Sequence, residues 1–225
     1  MKAIILAAGI GSRIGKQTPK SLTKIANGKS IFENQVSILK ANGIYEIIVV
    51  VGFKKEMIME VDESVLFAYN PLFHVTNTSK SLLNAMKRIS EDEIIWLNGD
   101  VCLEKNLIAR IIKEQGNVVA VNMEACGEEE VKYRTGNDGM ITEISKNVVN
   151  PEGEAVGVNK ITKSDFGKLV RFLEKCDDND YFEKGIEYAI NEGVRFKPVN
   201  ISDLKCIEVD FEKDLEKANK LFGGS

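Results

Sequence analysis

Short runs of consecutive apolar residues at Lys2–Ala7, Ile47–Val51, Ile94–Leu97 and Val118–Asn122 are spaced through the first half of the chain, with amphipathic stretches between them. Each run is about one strand long and lacks the wet/dry alternation of a strand with one solvated face, so it reads as buried on both faces. The intervening segments keep helical spacing instead. Ile31, Val36, Ile38 and Leu39 line one side of Ile31–Ala41, Leu82, Leu83, Ala85 and Met86 do the same in Ser79–Ile89, and Glu104–Gln115 is a third such segment. Parallel strands must be joined by crossovers, and helices are the usual crossover, so this alternation predicts a mostly parallel sheet covered on both faces. Val65–Tyr69 adds a further short strand.

The pattern changes after residue 123. Val131–Thr135 and Met140–Ile144 flank the turn Gly136-Asn137-Asp138-Gly139 and read as an antiparallel hairpin. Ala155–Ile161 is another strand; helices over Lys163–Lys175 and Tyr181–Asn191, strands near Val194–Val199 and Cys206–Val209, and a closing helix over Phe211–Leu221 follow. No linker rich in Gly, Pro or Ser divides the chain. The expectation is an α/β, Rossmann-like three-layer fold with a mixed, mainly parallel sheet and a small antiparallel hairpin insertion. Residues 1–225 would form one domain, with residues 123–160 as a hairpin or lid.

Composition narrows the partners. A formal charge of −4 and a pI near 5.3 argue against a nucleic-acid scaffold, which needs a basic surface, but not against a local phosphate site. Cys102, Cys126, Cys176 and Cys206 have no C-x-x-C spacing, and with His74 the only histidine a zinc site has few ligands, so free thiols are expected. No segment approaches the ~20 apolar residues of a membrane helix, and the apolar start MKAIILAAG lacks a cleavage site. A cytoplasmic protein is expected.

The chemistry concentrates in LAAGIGSRIGKQTPKSL, Leu6 to Leu22. The first strand ends in small residues, and Gly9 and Gly11 let the backbone curl so that its N–H groups face an incoming phosphate. Arg13 can clamp phosphate oxygens from the loop, and Pro19 fixes the backbone ahead of Lys20, a compact second cation. A dinucleotide fingerprint is excluded, because Ile14 stands at its third glycine and no acid follows the second strand. A P-loop is excluded as well: Gly28-Lys29-Ser30 supplies its tail, but Thr23 occupies the place of its leading glycine.

LAAG-x-GSR, then TPKSL, then GKSIFE resembles the signature of the nucleotidyltransferases that make nucleoside-diphosphate sugars and CDP-alcohols. The short loop between Arg13 and Lys20 is most similar to the phosphocholine cytidylyltransferase branch. The resemblance implies that the strand-1 loop, Leu6, Ala7, Ala8, Gly9, Gly11 and Ser12, holds the triphosphate, and that Lys20 and Arg13 drive transfer. It implies base reading along YNPLFHVTNTSKSLL by Asn70, Asn77, Thr78 and Ser79, with Ser81 a further candidate; helix capping by Thr78 or Ser79 is the competing reading.

Asp100 in WLNGDV and Asp210 in IEVDF each sit at a strand end, where ligands of open α/β sheets bind, and the two together can offer Mg2+ the hard oxygen ligands it prefers. The family carries a metal-binding aspartate in both contexts. Glu208 shares a strand face with Asp210 and is a candidate to support the metal ligands or to bind the acceptor. Lys146, more than Lys132, matches the place of a sugar-phosphate-binding lysine. If the acceptor carries an amine or trimethylammonium, acids and aromatics should surround it, and Glu154, Tyr181, Glu183 and Glu208 fall in segments that can converge. Trp96 reads as core and His74 as a loop residue.

The expected reaction is CMP transfer from CTP, with Mg2+, to a phosphocholine-like, aminoalkyl phosphonate or polyol phosphate acceptor, releasing pyrophosphate. A hexose-1-phosphate nucleotidyltransferase using UTP, GTP or dTTP, a glycosyltransferase and a non-catalytic nucleotide sensor are the alternatives. The first of these rivals shares the scaffold, but the hexose-1-phosphate enzymes usually have a longer loop where this chain runs from Arg13 to Lys20. The glycosyltransferase is disfavoured because Asn98 stands at the first position of its D-x-D metal motif, and the sensor because Gly9, Arg13, Lys20, Asp100 and Asp210 are retained together. No nucleic-acid or membrane partner is expected; a homodimer is left open.

Overall fold

The structure, a computed structural model, describes residues 1–11, 18–123, 127 and 129–223. β1 (Lys2–Ala7) lies in the middle of the main sheet and is wholly buried. β2 (Ile47–Val51) and β4 (Ile94–Asn98) flank it in parallel, and β3 (Leu66–Tyr69) extends the sheet beyond β2. All four therefore end at the same edge: Ala7 stands opposite Val51, and Leu6 opposite Asn98.

Strand alternation sorts the apolar runs into two cores. Ile4, Leu6, Ile48, Val50, Ile94 and Trp96 pack on one face, against α3 (Thr78–Met86), α5 (Lys163–Lys175) and α6 (Phe182–Asn191) through Leu82, Phe166, Leu169 and Ile186. Ala3, Ile5, Val49, Val51, Ile95 and Leu97 pack on the other. There they meet α1 (Ile31–Ala41) and α4 (Lys105–Lys113) through Phe32, Val36, Leu39, Leu107 and Ile111. The result is the expected three-layer α/β arrangement.

The second half completes the same sheet. β9 (Gly153–Ile161) inserts antiparallel between β4 and β6 (Asn117–Asn122), pairing Asn159 with both Trp96 and Val119. β10 (Phe196–Asn200) adds a parallel edge beyond β6. The hairpin of β7 (Lys132–Thr135) and β8 (Ile141–Ser145) hangs from β9 through the pairs Lys132–Glu154 and Tyr133–Gly153. Three elements were not anticipated: a 3-10 turn over Lys20–Leu22, the short α2 (Lys55–Met59) and β5 (Val101–Leu103). β5 pairs antiparallel with β11 (Cys206–Glu208), and α7 (Glu212–Phe222) closes the chain. Such short elements carry no periodicity; α2 follows Lys54 in the left-handed region, φ 44°.

Candidate active site

The sheet edge formed by the ends of β1 and β4 gathers most of the residues singled out in the sequence. β4 ends at Asn98 and the chain turns through Gly99 and Asp100 into β5. The Gly99 N–H donates to Leu6 O at 2.9 Å, and a Cβ on Gly99 would stand 2.8 Å from that oxygen, so only glycine lets the turn lie this close to β1. The Val209 N–H donates to Asp100 O at 3.0 Å, while β11 lies on β5 with Glu208 opposite Val101. Two strand ends far apart in sequence thus bring Asp100, Glu208 and Asp210 together, one oxygen of each within 4.8 Å of the others.

Lys20 enters this acid cluster from the other side. Pro19 starts the 3-10 turn, whose Leu22 N–H donates to Pro19 O at 2.9 Å. Gly11 has φ 60°, and a Cβ there would lie 2.9 Å from Lys20 Cβ, so the bend after β1 rests directly against the lysine. The Lys20 ammonium donates to Asp100 Oδ2 at 2.8 Å and to Asp210 Oδ1. Burial pulls its pKa down, but the Asp100 and Asp210 carboxylates outweigh that and hold it above the ordinary lysine value, so it stays charged.

Asp100 and Asp210 were expected to hold Mg2+, and the donor set fits a hard divalent cation. Lys20 brings one positive charge to the two aspartates it bonds, and Glu208 is the third acid of the cluster. Asp100 Oδ1 is buried without a hydrogen-bond partner among the described residues. Glu208 keeps access to solvent although protein surrounds it closely; burial, then the charges of Asp100 and Asp210, push its carboxyl well above the usual range. Glu208 therefore belongs beside the aspartates as well as near the acceptor side.

The expected acceptor residues lie on the neighbouring wall. The Lys146 ammonium sits 4.8 Å above the ring of Tyr181, the residue that leads into α6. Two residues on, Glu183 is buried, with Oε2 unpartnered among the described residues. Burial raises its carboxyl to about 7, against the lowering pull of the Lys146 charge, and its own charge reaches Glu208. Glu154 Oε1 accepts from Asn122 Nδ2 at 3.3 Å across β9 and β6. Lys132, the weaker phosphate candidate, donates instead to Lys146 O at 3.1 Å and supports the turn that carries Lys146.

The other expected nucleotide contacts divide. Leu6, Ala7 and Ala8 are buried in the two cores, and Leu6 O already serves Gly99, so their side chains face no ligand. Gly9 is exposed, and a Cβ there would meet nothing within 4 Å; Gly11 is half-buried. Ser12 and Arg13 lie outside the described residues. Asn70 is buried, and its side chain is fully engaged: Nδ2 donates to Thr76 Oγ1 and Ser81 Oγ, both at 3.1 Å, and Oδ1 accepts from Leu72 N–H at 3.0 Å. Asn77 Oδ1 accepts from Thr78 N–H at 2.8 Å and its Nδ2 donates to Asn179 O at 3.3 Å, while Thr78 Oγ1 accepts from Phe182 N–H at 3.0 Å. Ser79 is fully buried. Asn70 thus ties the β3–α3 loop to α3, while Asn77 and Thr78 pin the start of α3 to the chain entering α6; the cap itself is Asn77, one residue before the Thr78 or Ser79 expected. Trp96 is core, edge-on to Phe182 at 5.8 Å, and His74 lies in an exposed loop. Cys102, Cys176 and Cys206 are free thiols; Cys126 lies outside the described residues.

One residue with a bearing on the site went unnoticed in the sequence. Gln35 on α1 is fully buried and reaches the turn that carries Asp100. No motif marks it, since a glutamine inside an amphipathic helix usually faces solvent.

The chain is 26% identical to the CMP-5'-(3-aminopropyl)phosphonate synthase of Streptomyces rubellomurinus over 99% of its own length, spanning 39% of that protein. It is 26% identical to the choline-phosphate cytidylyltransferase of Streptococcus pneumoniae over 98% of each chain. The solved structure of the CTP:phosphocholine cytidylyltransferase of Streptococcus pneumoniae superposes with a TM-score of 0.81 at 24% identity, covering 97% of each chain, which shows a shared fold. The family model of the MobA-like NTP transferase domain matches residues 3–138, more than half of the length. The chain belongs to the MobA-like NTP transferase family.

Proposed function

We propose that this protein is a Mg2+-dependent cytidylyltransferase that moves CMP from CTP onto a small cationic phosphorylated or phosphonate acceptor, releasing pyrophosphate. One observation carries the reading: the bend at Gly9–Gly11, the Lys20 ammonium and the Asp100–Glu208–Asp210 cluster meet at one sheet edge, beside a wall built from Lys146, Tyr181 and Glu183. The names of two relatives matched along nearly the whole of this chain, one acting on choline phosphate and one on an aminopropylphosphonate, support CTP and a nitrogen-bearing acceptor.

In this reading the triphosphate lies along Gly9–Gly11, and Ser12 and Arg13, which follow in sequence, are its further expected contacts. An acceptor oxygen, already anionic, attacks the α-phosphorus; the new P–O bond forms as the bond to the β-phosphate oxygen breaks, and pyrophosphate leaves with that electron pair. No protein nucleophile or base is required. Asp100, Asp210 and Glu208 would hold Mg2+, which when bound neutralises phosphate charge. Lys20, released from the aspartates, turns its ammonium to the phosphates, where a preorganised cation stabilises the charge that develops. On the acceptor side Lys146 leaves the Tyr181 ring to meet the phosphate or phosphonate, and that ring with Glu183 and Glu154 accepts the cationic end, Glu208 lying between the two sites. The hydrogen bonds made by Asn70, Asn77 and Thr78 leave backbone groups of the α3 approach to read the base. The chain 1–225 would act as one domain, with residues 123–160 lying over the acceptor.

Incubation with CTP, UTP, GTP and dTTP, each with phosphocholine, aminopropylphosphonate or a hexose 1-phosphate and with pyrophosphatase, tests the proposal. Phosphate release with CTP and one of these acceptors is expected; release only with a hexose 1-phosphate and another triphosphate would reassign the enzyme.

A further inference from the structure

Gln35 has no place in the proposed chemistry, yet it is a fully buried polar side chain bonded directly to the acid-bearing turn. Its Nε2 donates at 2.8 Å to Asn98 O and at 2.8 Å to Val101 O. These carbonyls lie at the two ends of the turn whose inner residues are Gly99 and Asp100. One amide nitrogen has two protons, so a single NH2 closes the turn like a clasp. The amide orientation is fixed by chemistry, because the flipped group would aim its oxygen at both carbonyls. Keeping this orientation leaves Gln35 Oε1 buried and unpartnered among the described residues.

The helix that delivers the clasp is itself held firmly. Ser30 and Glu33 form a reciprocal capping box at the start of α1, Glu33 N–H donating to Ser30 Oγ at 3.2 Å and Ser30 N–H to Glu33 Oε2 at 2.7 Å. Phe32, Val36 and Leu39 anchor α1 in the core under the sheet. The remaining ties on the turn, Gly99 N–H to Leu6 O and Val209 N–H to Asp100 O, each hold one point; among the described residues, Gln35 alone spans both ends.

We propose that Gln35 is a positioning residue that sets the geometry of Asp100 for the divalent cation. The inference rests on the metal reading above. It assigns to Gln35 the affinity for metal, not the binding of nucleotide or acceptor, because only the backbone that presents Asp100 is touched.

The test is Mn2+ binding to the nucleotide-free full-length chain, followed by electron paramagnetic resonance of the unbound ion. Gln35→Met keeps the shape and removes both donors; Gln35→Asn keeps an amide too short to reach both carbonyls, and serves if the methionine variant does not fold. Asn34→Ala is the control, since Asn34 sits next to Gln35 on α1 and donates to Leu103 O at 3.3 Å, beyond the turn. The expected result is Mn2+ affinity weakened about tenfold by either Gln35 variant, the usual scale for losing an outer-sphere partner. The Mg2+ concentration for half-maximal pyrophosphate release should rise in parallel, with kcat at saturating Mg2+ nearly unchanged and Asn34→Ala normal in both respects. Wild-type binding with Gln35 variants within twofold of it, or Asn34→Ala weakened equally, overturns the assignment to Gln35. A wild-type chain that binds no Mn2+ instead overturns the metal site itself, and this inference with it.

Discussion

At the residue scale the central object is the Lys20 ammonium, charged and shared between Asp100 and Asp210. It stands where a divalent ion would stand, so lysine and metal should compete for the same carboxylates. Lys20→Met is therefore expected to bind Mn2+ more tightly than the wild type in the absence of nucleotide, measured by calorimetry; equal or weaker binding would separate the lysine from the metal site. With both substrates saturating, Lys20→Ala should lower kcat by at least ~100-fold while circular dichroism shows the fold intact, the scale expected for losing one preorganised charge contact.

Glu183 makes a second residue-scale prediction. Its carboxyl is raised to about 7 by burial, opposed by Lys146, with Glu208 the other charge it faces. A carboxyl with a folded pKa above its unfolded value binds its proton more tightly when folded. Stability is therefore lost as pH rises from the unfolded value near 4.5 through about 7. Glu183→Gln removes that dependence. Urea unfolding should show the variant gaining on wild type by about 2 kcal/mol between pH 5 and pH 8; parallel curves would mean that Glu183 stays ionised in the fold.

At the scale of elements, the turn after β4 packs on the end of β1, and the bend that follows β1 packs on Lys20. Gly11 combines φ 60° with the 2.9 Å approach to Lys20 Cβ. Gly11→Ala should thus cost about 1–2 kcal/mol from backbone strain and lower kcat by displacing Lys20, read from the thermal midpoint and from pyrophosphate release. A stable variant with normal turnover would show that the bend need not press on the lysine. The long elements were legible in the sequence because their apolar spacing is decisive: β1, β2, α1 and α5 have the bounds that the pattern predicts. β5 and α2 were not, since three and five residues carry too little periodicity to register. The start of α3 shows a different limit. Thr78 and Ser79 read equally as base contacts or as caps, because short polar side chains serve both; the structure makes Asn77 the cap and gives Thr78 Oγ1 a bond from Phe182 N–H.

Across the whole molecule, the strand–helix alternation foretold a mixed three-layer sheet but not the placement of β9. That strand is antiparallel between β4 and β6, a pairing decided by contacts made far along the chain. The acid cluster was half legible. Asp100 and Asp210 each mark a strand end, and Glu208 follows from its spacing to Asp210, but the meeting of the two strand ends depends on β11 lying against β5, which no local pattern announces. Gln35 was illegible for the same reason: its partners are backbone carbonyls more than sixty positions away. The most direct measurement of the account is a crystal of the chain grown with CTP and Mn2+, examined for anomalous scattering. A peak among Asp100, Glu208 and Asp210, with the triphosphate along Gly9–Gly11 and the Lys20 ammonium moved from the aspartates to phosphate, is the predicted result. A bound CTP elsewhere on the surface, with Lys20 still paired to both aspartates and no ion in the cluster, would contradict it.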